Sequence, residues 1–282
     1  MPDIAQEPAG IRTPAQRRLV RWAGASVLAA AVIFIGYRLA ALRPEELLVH
    51  ATWPMAGALA GASLVFAGAN ALFAQGWRTL ADPGEVLAPR QAQAIYGRGV
   101  LTKYLPGSVF QYVSRQLGGR AAGLGHAILA RASLEEVVIH VAASLSVAAF
   151  CLLAGERPWL SAAAGTALVA VLLSTGMRRL RAVALQLLAF GGFALAAILV
   201  AAALLPGEGV PAAFGGLFLI AWLAGFLVPV APGGLGVREA AMLGLAGTLV
   251  PAPVALAAVL ALRIASILGD LAFGLATLVR SR

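Results

Sequence analysis

Charged residues are few in this chain: Asp, Glu, Lys and Arg make up 12%, against 61% hydrophobic residues. Soluble domains carry about a quarter of charged residues. Apolar runs take up nearly all of the 282 residues and leave no room for a separate soluble catalytic domain. The mean hydropathy of +0.88 is that of a chain crossing a membrane several times. Cysteine is nearly absent: Cys151 stands alone in an apolar run, which excludes a disulfide framework or a Cys-based metal site within one chain. His50, His126 and His140 are scattered, so no metal site can be argued from them. Lys103 is the one lysine, and the net charge of +9 rests on arginines gathered in short segments. No aromatic-interleaved basic patch accompanies them, so nucleic acid is not an expected partner; topology and anionic lipid headgroups are.

Signatures of soluble chemistry are missing too. Gly119, Gly123 and Gly125 follow no strand and make no dinucleotide or phosphate loop. Ser108 lies outside a G-x-S-x-G frame. No enzyme activity and no cofactor are expected.

What is present is a series of apolar runs. Residues 1–16, with Pro2, Pro8 and Pro14, read as a disordered cytoplasmic tail, and residues 17–282 as one membrane domain with halves at about 17–155 and 156–282. Full spans are expected at about 22–42, 53–75, 128–154, 159–175, 183–205 and 254–279. The first is too long for a signal-peptide core and is read as retained. Residues 78–98 read as a basic interfacial segment, 118–125 as a glycine-rich loop, and Arg178, Arg179 and Arg181 as a basic loop.

Two stretches break this pattern. Residues 228–239 carry Pro229 and Pro232, Gly233, Gly234 and Gly236, then Arg238 and Glu239, deep in an apolar region. Proline removes a backbone donor and glycine permits positive φ, so a helix should break there. Broken backbone at membrane depth needs protein or a wet cavity to receive its polar groups. A weaker counterpart surrounds Pro106 and Gly107, between Lys103 and Arg115. Each is read as a re-entrant hairpin.

With both termini cytoplasmic, most arginines fall on the cytoplasmic side, as the positive-inside rule requires. Each half then runs span, span, broken hairpin, span, and the hairpins enter from opposite faces. That is the inverted repeat of many secondary transporters. The expected fold is all-α: about six transmembrane helices plus two oppositely oriented hairpins in the cytoplasmic (inner) membrane.

Ionisable groups at membrane depth are functional candidates by default. Arg263, Ser266 and Asp270 fall on one helical face. That face lines a polar pathway with Arg238 and Glu239, or Glu239 and Arg263 form an ion pair pinning the hairpin to the last helix; the two readings are not exclusive. Lys103 and Arg115 either bind an anionic headgroup, with Glu135 or Glu136 setting the geometry of a cation, or serve as interfacial anchors. In the latter case one glutamate is a helix N-terminal charge, with Ser133 as its cap. His140, four residues after Glu136, is read as a packing histidine before a proton relay.

The run Lys103-Tyr-Leu-Pro-Gly-Ser-Val109, then Arg115, Glu135 and Glu136, and the run Ala231-Pro-Gly-Gly-Leu-Gly-Val-Arg-Glu239 resemble a known family. It is the transmembrane, flippase-like region of lysylphosphatidylglycerol synthases. The resemblance extends from about Arg21 to the C-terminus. It matches at Lys103, Pro106, Gly107, Arg115, Glu135 or Glu136, Pro232, Gly233, Gly234, Gly236, Arg238, Glu239 and Arg263. It implies movement of a phospholipid or a polyprenyl-linked lipid between leaflets. The sequence carries no counterpart of the synthases' soluble aminoacyl-transferring domain, so lysine transfer from tRNA is not implied. Membrane lipids with anionic or aminoacylated headgroups are the expected partners. A lipid-modifying enzyme partner, for which this chain would be a scaffold, and a homo-oligomer are left open.

Overall fold

The computed structural model describes residues 52–104, 110–154, 158–207, 209–228, 234, 236–246 and 249–279. The N-terminal tail, the span expected at 22–42, and the residues Pro106, Gly107, Pro232 and Gly233 lie outside the described residues.

Every regular element among the described residues is a helix. In chain order these are α1 (Trp53–Ala81), α2 (Pro89–Thr102), α3 (Phe110–Ala121), α4 (His126–Leu153), α5 (Pro158–Ser174), α6 (Arg178–Leu204), α7 (Ala212–Leu227), α8 (Val237–Ala246) and α9 (Ala252–Val279). Four of them, α1, α4, α6 and α9, are long and apolar enough to cross a membrane. The stretch expected at 159–175 is an apolar helix of 17 residues, α5. At ~1.5 Å per residue it is roughly 25 Å long, somewhat short of a ~30 Å hydrocarbon core.

Capping chemistry and chain path depart from the expectations in three places. Helix α1 starts where Thr52 Oγ1 accepts the Met55 amide and runs past residue 75 to Ala81. Asp82 then receives the amides of Val86 and Leu87, at 2.9 and 2.7 Å, and this turn delivers the chain directly into α2. The segment 78–98 is therefore a helix end, a turn and most of α2, and not one interfacial strip. The loop expected at 118–125 is only the turn 122–125, because α3 continues to Ala121. Gly118 and Gly119 are there for packing: a Cβ on either would press against Ile95 or Leu129. Arg178, Arg179 and Arg181 form the first turn of α6 and not a loop.

Helices α2 and α3, of 14 and 12 residues, pack on each other between α1 and α4. Helices α7 and α8, of 16 and 10 residues, do so between α6 and α9. With lipid as apolar as the side chains, helix association depends on close backbone approach through small residues. Helix α6 buries Ala182, Ala189, Ala196 and Ala197 against its neighbours, with α1 its main partner. Gly269 of α9 lies against α1, where an added Cβ would stand 2.6 Å from the Ser63 carbonyl oxygen.

The two ends of the bundle differ in charge. The Arg178 guanidinium donates to the Thr79 carbonyl, and Arg179 pairs with Glu135 at 2.9 Å. These contacts bring the C-terminal end of α1, the N-terminal end of α6 and the third turn of α4 together, and Arg78, Arg90, Arg131 and Arg181 lie near the same ends of their helices. At the opposite end, Trp53 and Trp159 are exposed at the starts of α1 and α5, as interfacial tryptophans are.

Overpacking of this kind costs ~1–3 kcal/mol. Gly269→Val is therefore expected to lower the thermal midpoint of the detergent-purified protein. Gly68→Ala, where no atom lies within 4 Å of the added Cβ, should leave it unchanged or raise it. Fluorescence-detected size exclusion after heating reads both. Equal midpoints for Gly269→Val and wild type would rule out the tight α1–α9 approach.

Candidate functional site

Three carboxylates, the buried Glu136 and Asp270 and the half-buried Glu239, organise the polar interior. The first is Glu136, on the inner face of α4 and 2% exposed. One of its oxygens accepts the Tyr96 hydroxyl of α2 at 3.0 Å, and the other meets the Arg115 guanidinium of α3 at 2.5 Å. The same guanidinium lies over the rings of Tyr96 and Tyr112, 4.7 and 4.8 Å from their centroids. Gly99 makes this possible, since a Cβ there would stand 3.1 Å from Arg115 Cγ. Glu135, one residue earlier and therefore ~100° round the helix, points outward to Arg131 and Arg179. Of the two glutamates the interior one is Glu136.

Neither glutamate is at a helix start. Helix α4 begins at His126 after Gly125, and the Ser133 hydroxyl donates back to the Leu129 carbonyl within the helix. The capping role considered for Ser133 is excluded by that register.

The second carboxylate is Asp270 of α9. Asn70 Nδ2 of α1 donates to Oδ1 at 2.7 Å, while Lys103 Nζ, 2.6 Å away, and the Tyr104 hydroxyl both reach Oδ2. Lys103 is 31% exposed and Asp270 only 3%, so the lysine forms the open side of this cluster.

The third is Glu239, on the first turn of α8. Its Oε1 pairs with Arg263 of α9 at 2.8 Å, and its Oε2 accepts the Gly236 amide at 2.8 Å. The second contact is half of a capping box, which starts α8 immediately after the break. The ion pair weighed from the sequence is thus formed. Gly234 and Gly236 hold positive φ, +71° and +80°. Gly234 also lies against Gly225 of α7, where a Cβ on either glycine would stand about 3 Å or less from the other's backbone. Only glycine satisfies both conditions at 234.

Arg238 lies in this pinch with its guanidinium 5.3 Å from the Trp222 ring centroid. Its Nε is buried and has no hydrogen-bond acceptor among the described residues. It is within electrostatic reach of Arg263, Tyr104, Glu239 and Asp270, so the second and third clusters form one field. Among the described residues that field contains three cations, Lys103, Arg238 and Arg263, against two carboxylates, Asp270 and Glu239. Within this set one positive charge is in surplus. The Ser266 hydroxyl, expected on the same face, donates to the Arg263 carbonyl and adds nothing to the field.

His140 is buried among rings. Phe226 stacks on it at 5.7 Å, Phe190 meets it edge-on at 5.4 Å, and Phe73 lies 4.6 Å away. Its Nδ1 faces the backbone carbonyl of Glu136, at 3.1 Å, and not the carboxylate. This is packing geometry.

Asn70, Tyr96, Tyr104 and Trp222 were not singled out from the sequence. All but Trp222 hold a buried carboxylate, and Trp222 supports Arg238. Tyr104 sits within the Lys-Tyr-Leu-Pro-Gly run, and Asn70 interrupts an apolar run, a signal that was readable. Comparison with known proteins gives no match: no family model, curated protein or solved structure matches the chain.

Removing one partner of a buried pair costs ~3–5 kcal/mol, whereas replacing both by apolar groups is close to neutral. Glu136→Leu and Arg115→Met are each expected to destabilise strongly, and the double variant to lose much less than their sum. A double-mutant cycle on reversible unfolding in mixed micelles measures the coupling, and simple additivity would refute it.

Proposed function

We propose that this protein moves a lipid with an anionic headgroup, a phospholipid or a polyprenyl-linked lipid, between the leaflets of the cytoplasmic membrane. The observation that carries the reading is Arg238. Among the described residues it is a surplus cation whose buried Nε has no hydrogen-bond partner, on the first turn of α8 beside the C-terminal end of α7 and facing the middle of α9. A desolvated guanidinium that shares its nearest carboxylates with other cations is costly at membrane depth unless a ligand supplies a counter-charge. Phosphate suits it, because a guanidinium offers parallel donors to phosphate oxygens. The resemblance to the flippase-like region of lysylphosphatidylglycerol synthases supports a lipid as cargo.

In this reading the residues 22–42 and α5 complete six crossings, with both termini cytoplasmic and the arginine-rich end facing the cytoplasm. The α2–α3 pair enters from that side and the α7–α8 pair from the other, as an inverted repeat. The headgroup phosphate is held by Arg238, with Lys103 at the exposed entrance and Arg263 behind, while the acyl chains stay in lipid. The Lys103–Asp270 and Arg263–Glu239 pairs act as latches. Phosphate competes with each carboxylate for its cation, and exchanging the two pairs in turn opens one side and then the other.

A hydrogen bond to a charged group contributes ~1.5–3 kcal/mol, so loss of the Arg238 contact should slow transport roughly ten- to a hundredfold. Leaflet-resolved quenching of fluorescent phosphatidylglycerol in proteoliposomes measures this. Arg238→Ala should be slow, Arg238→Lys partly active, and Glu239→Gln impaired. Wild-type rates in both Arg238→Ala and Glu239→Gln would remove these residues from the mechanism.

A further inference from the structure

A groove of ≈ 480 Å³ lies between α2 and α3 at the arginine-rich end, and no residue of the three carboxylate clusters lines it. The buried Ala94 and Ile95 and the half-buried Gly118 line its inner part, and the exposed Arg90, Gln91, Arg98 and Ala121 its edge. No carboxylate lines it. Both arginines are exposed, and neither forms an ion pair among the described residues. This sets them apart from Arg115, Arg131, Arg179 and Arg263, each of which has a carboxylate partner. The small residues at 94, 118, 121 and 122 keep the space between the helices open.

An apolar floor with two unneutralised cations on its rim matches an amphiphile whose headgroup carries the negative charge. Basic pockets between helices at a membrane surface take such headgroups. The spacing is informative. Arg90 and Arg98 are eight residues apart on one helix, which places their Cα atoms roughly 12 Å apart along the axis at ~1.5 Å per residue. That is wide for a single phosphate held by both, and suits one phosphate at each guanidinium.

We propose that this groove is a binding site for a lipid bearing two phosphate groups, of the cardiolipin type, held at the membrane surface by Arg90 and Arg98. The bound lipid ties α2 to α3 from outside, as Glu136 ties them from inside. The site is separate from the cargo path and does not depend on the translocation reading.

The test is thermal stabilisation of the detergent-purified full chain by added cardiolipin, phosphatidylglycerol, phosphatidylcholine or inorganic phosphate, at matched phosphate concentration. Cardiolipin is expected to stabilise at the lowest concentration, with phosphatidylcholine and inorganic phosphate inactive. In R90Q/R98Q the cardiolipin response should move to roughly thirtyfold higher concentration, at about 1 kcal/mol for each cation removed. Arg131→Gln/Arg181→Gln removes the same charge at the same end of the bundle outside the groove and should respond as wild type does. Arg238→Ala should also keep the response, which separates this site from the translocation path. A cross-link from headgroup-photoactivatable cardiolipin to residues 88–98 or 118–122 locates the site independently. The proposal is overturned by an unchanged response in R90Q/R98Q, by phosphatidylglycerol or inorganic phosphate matching cardiolipin, or by cross-links confined to other segments.

Discussion

An ionised carboxylate can sit inside an apolar bundle only if donors converge on it, and Asp270 depends on this most. Its donors come from Asn70 of α1 and from Lys103 and Tyr104 at the end of α2. They hold three segments in one geometry, because any displacement would leave a charge unpaired at a cost of several kcal/mol. Glu136 does the same for α2, α3 and α4, and Glu239 for α8 and α9. These contacts add little net stability, since burying charge costs about what pairing it returns. Their effect is positional. In a lipid environment the hydrophobic effect does not choose among helix arrangements, whereas a buried charge accepts very few.

The glycines complete this constraint. Gly99 lets Arg115 lie across α2 to reach Glu136, and Gly269 lets α9 come close enough to α1 for Asp270 to reach Asn70. Gly225 and Gly234 do the same for the broken segment, and the space they leave is occupied by Arg238. Small residues and buried charges are thus two parts of one device: contact distances between backbones are set so that short polar groups can meet.

Much of this was legible in the sequence where the signal is local. Hydropathy over a window marks α1, α4, α6 and α9, since length and composition are enough to define them. The concentration of arginine at one end follows from counting residues. The Arg263–Glu239 pair was one of two readings because both charges flank a visible break. What was hidden depended on facing. Glu135 and Glu136 are chemically the same and adjacent, and only the packing of α4 decides which one turns inward. Glycine was ambiguous for a similar reason: Gly118 and Gly119 look like a loop, but their function is close contact inside α3. Asn70 is visible as a polar residue in an apolar run, but nothing local assigns it to Asp270, 200 residues away.

The same constraint bears on how such a bundle changes state. A tie made by a buried ion pair holds while both charges lack a better partner, and a phosphate is a better partner for a guanidinium or ammonium than one carboxylate oxygen. In the field of Lys103, Arg238 and Arg263, an incoming anion would first neutralise the surplus positive charge. It would then weaken the hold of Asp270 on Lys103 and of Glu239 on Arg263. Those are the contacts that fasten the α2 end and α8 to α9. On the proposed reading, ligand binding and the release of a helix pair are one electrostatic exchange, and the shift is limited to the difference in affinity between the tied and untied states. Glu136 and Arg115, a pair away from that surplus charge, would stay closed throughout and serve as the pivot.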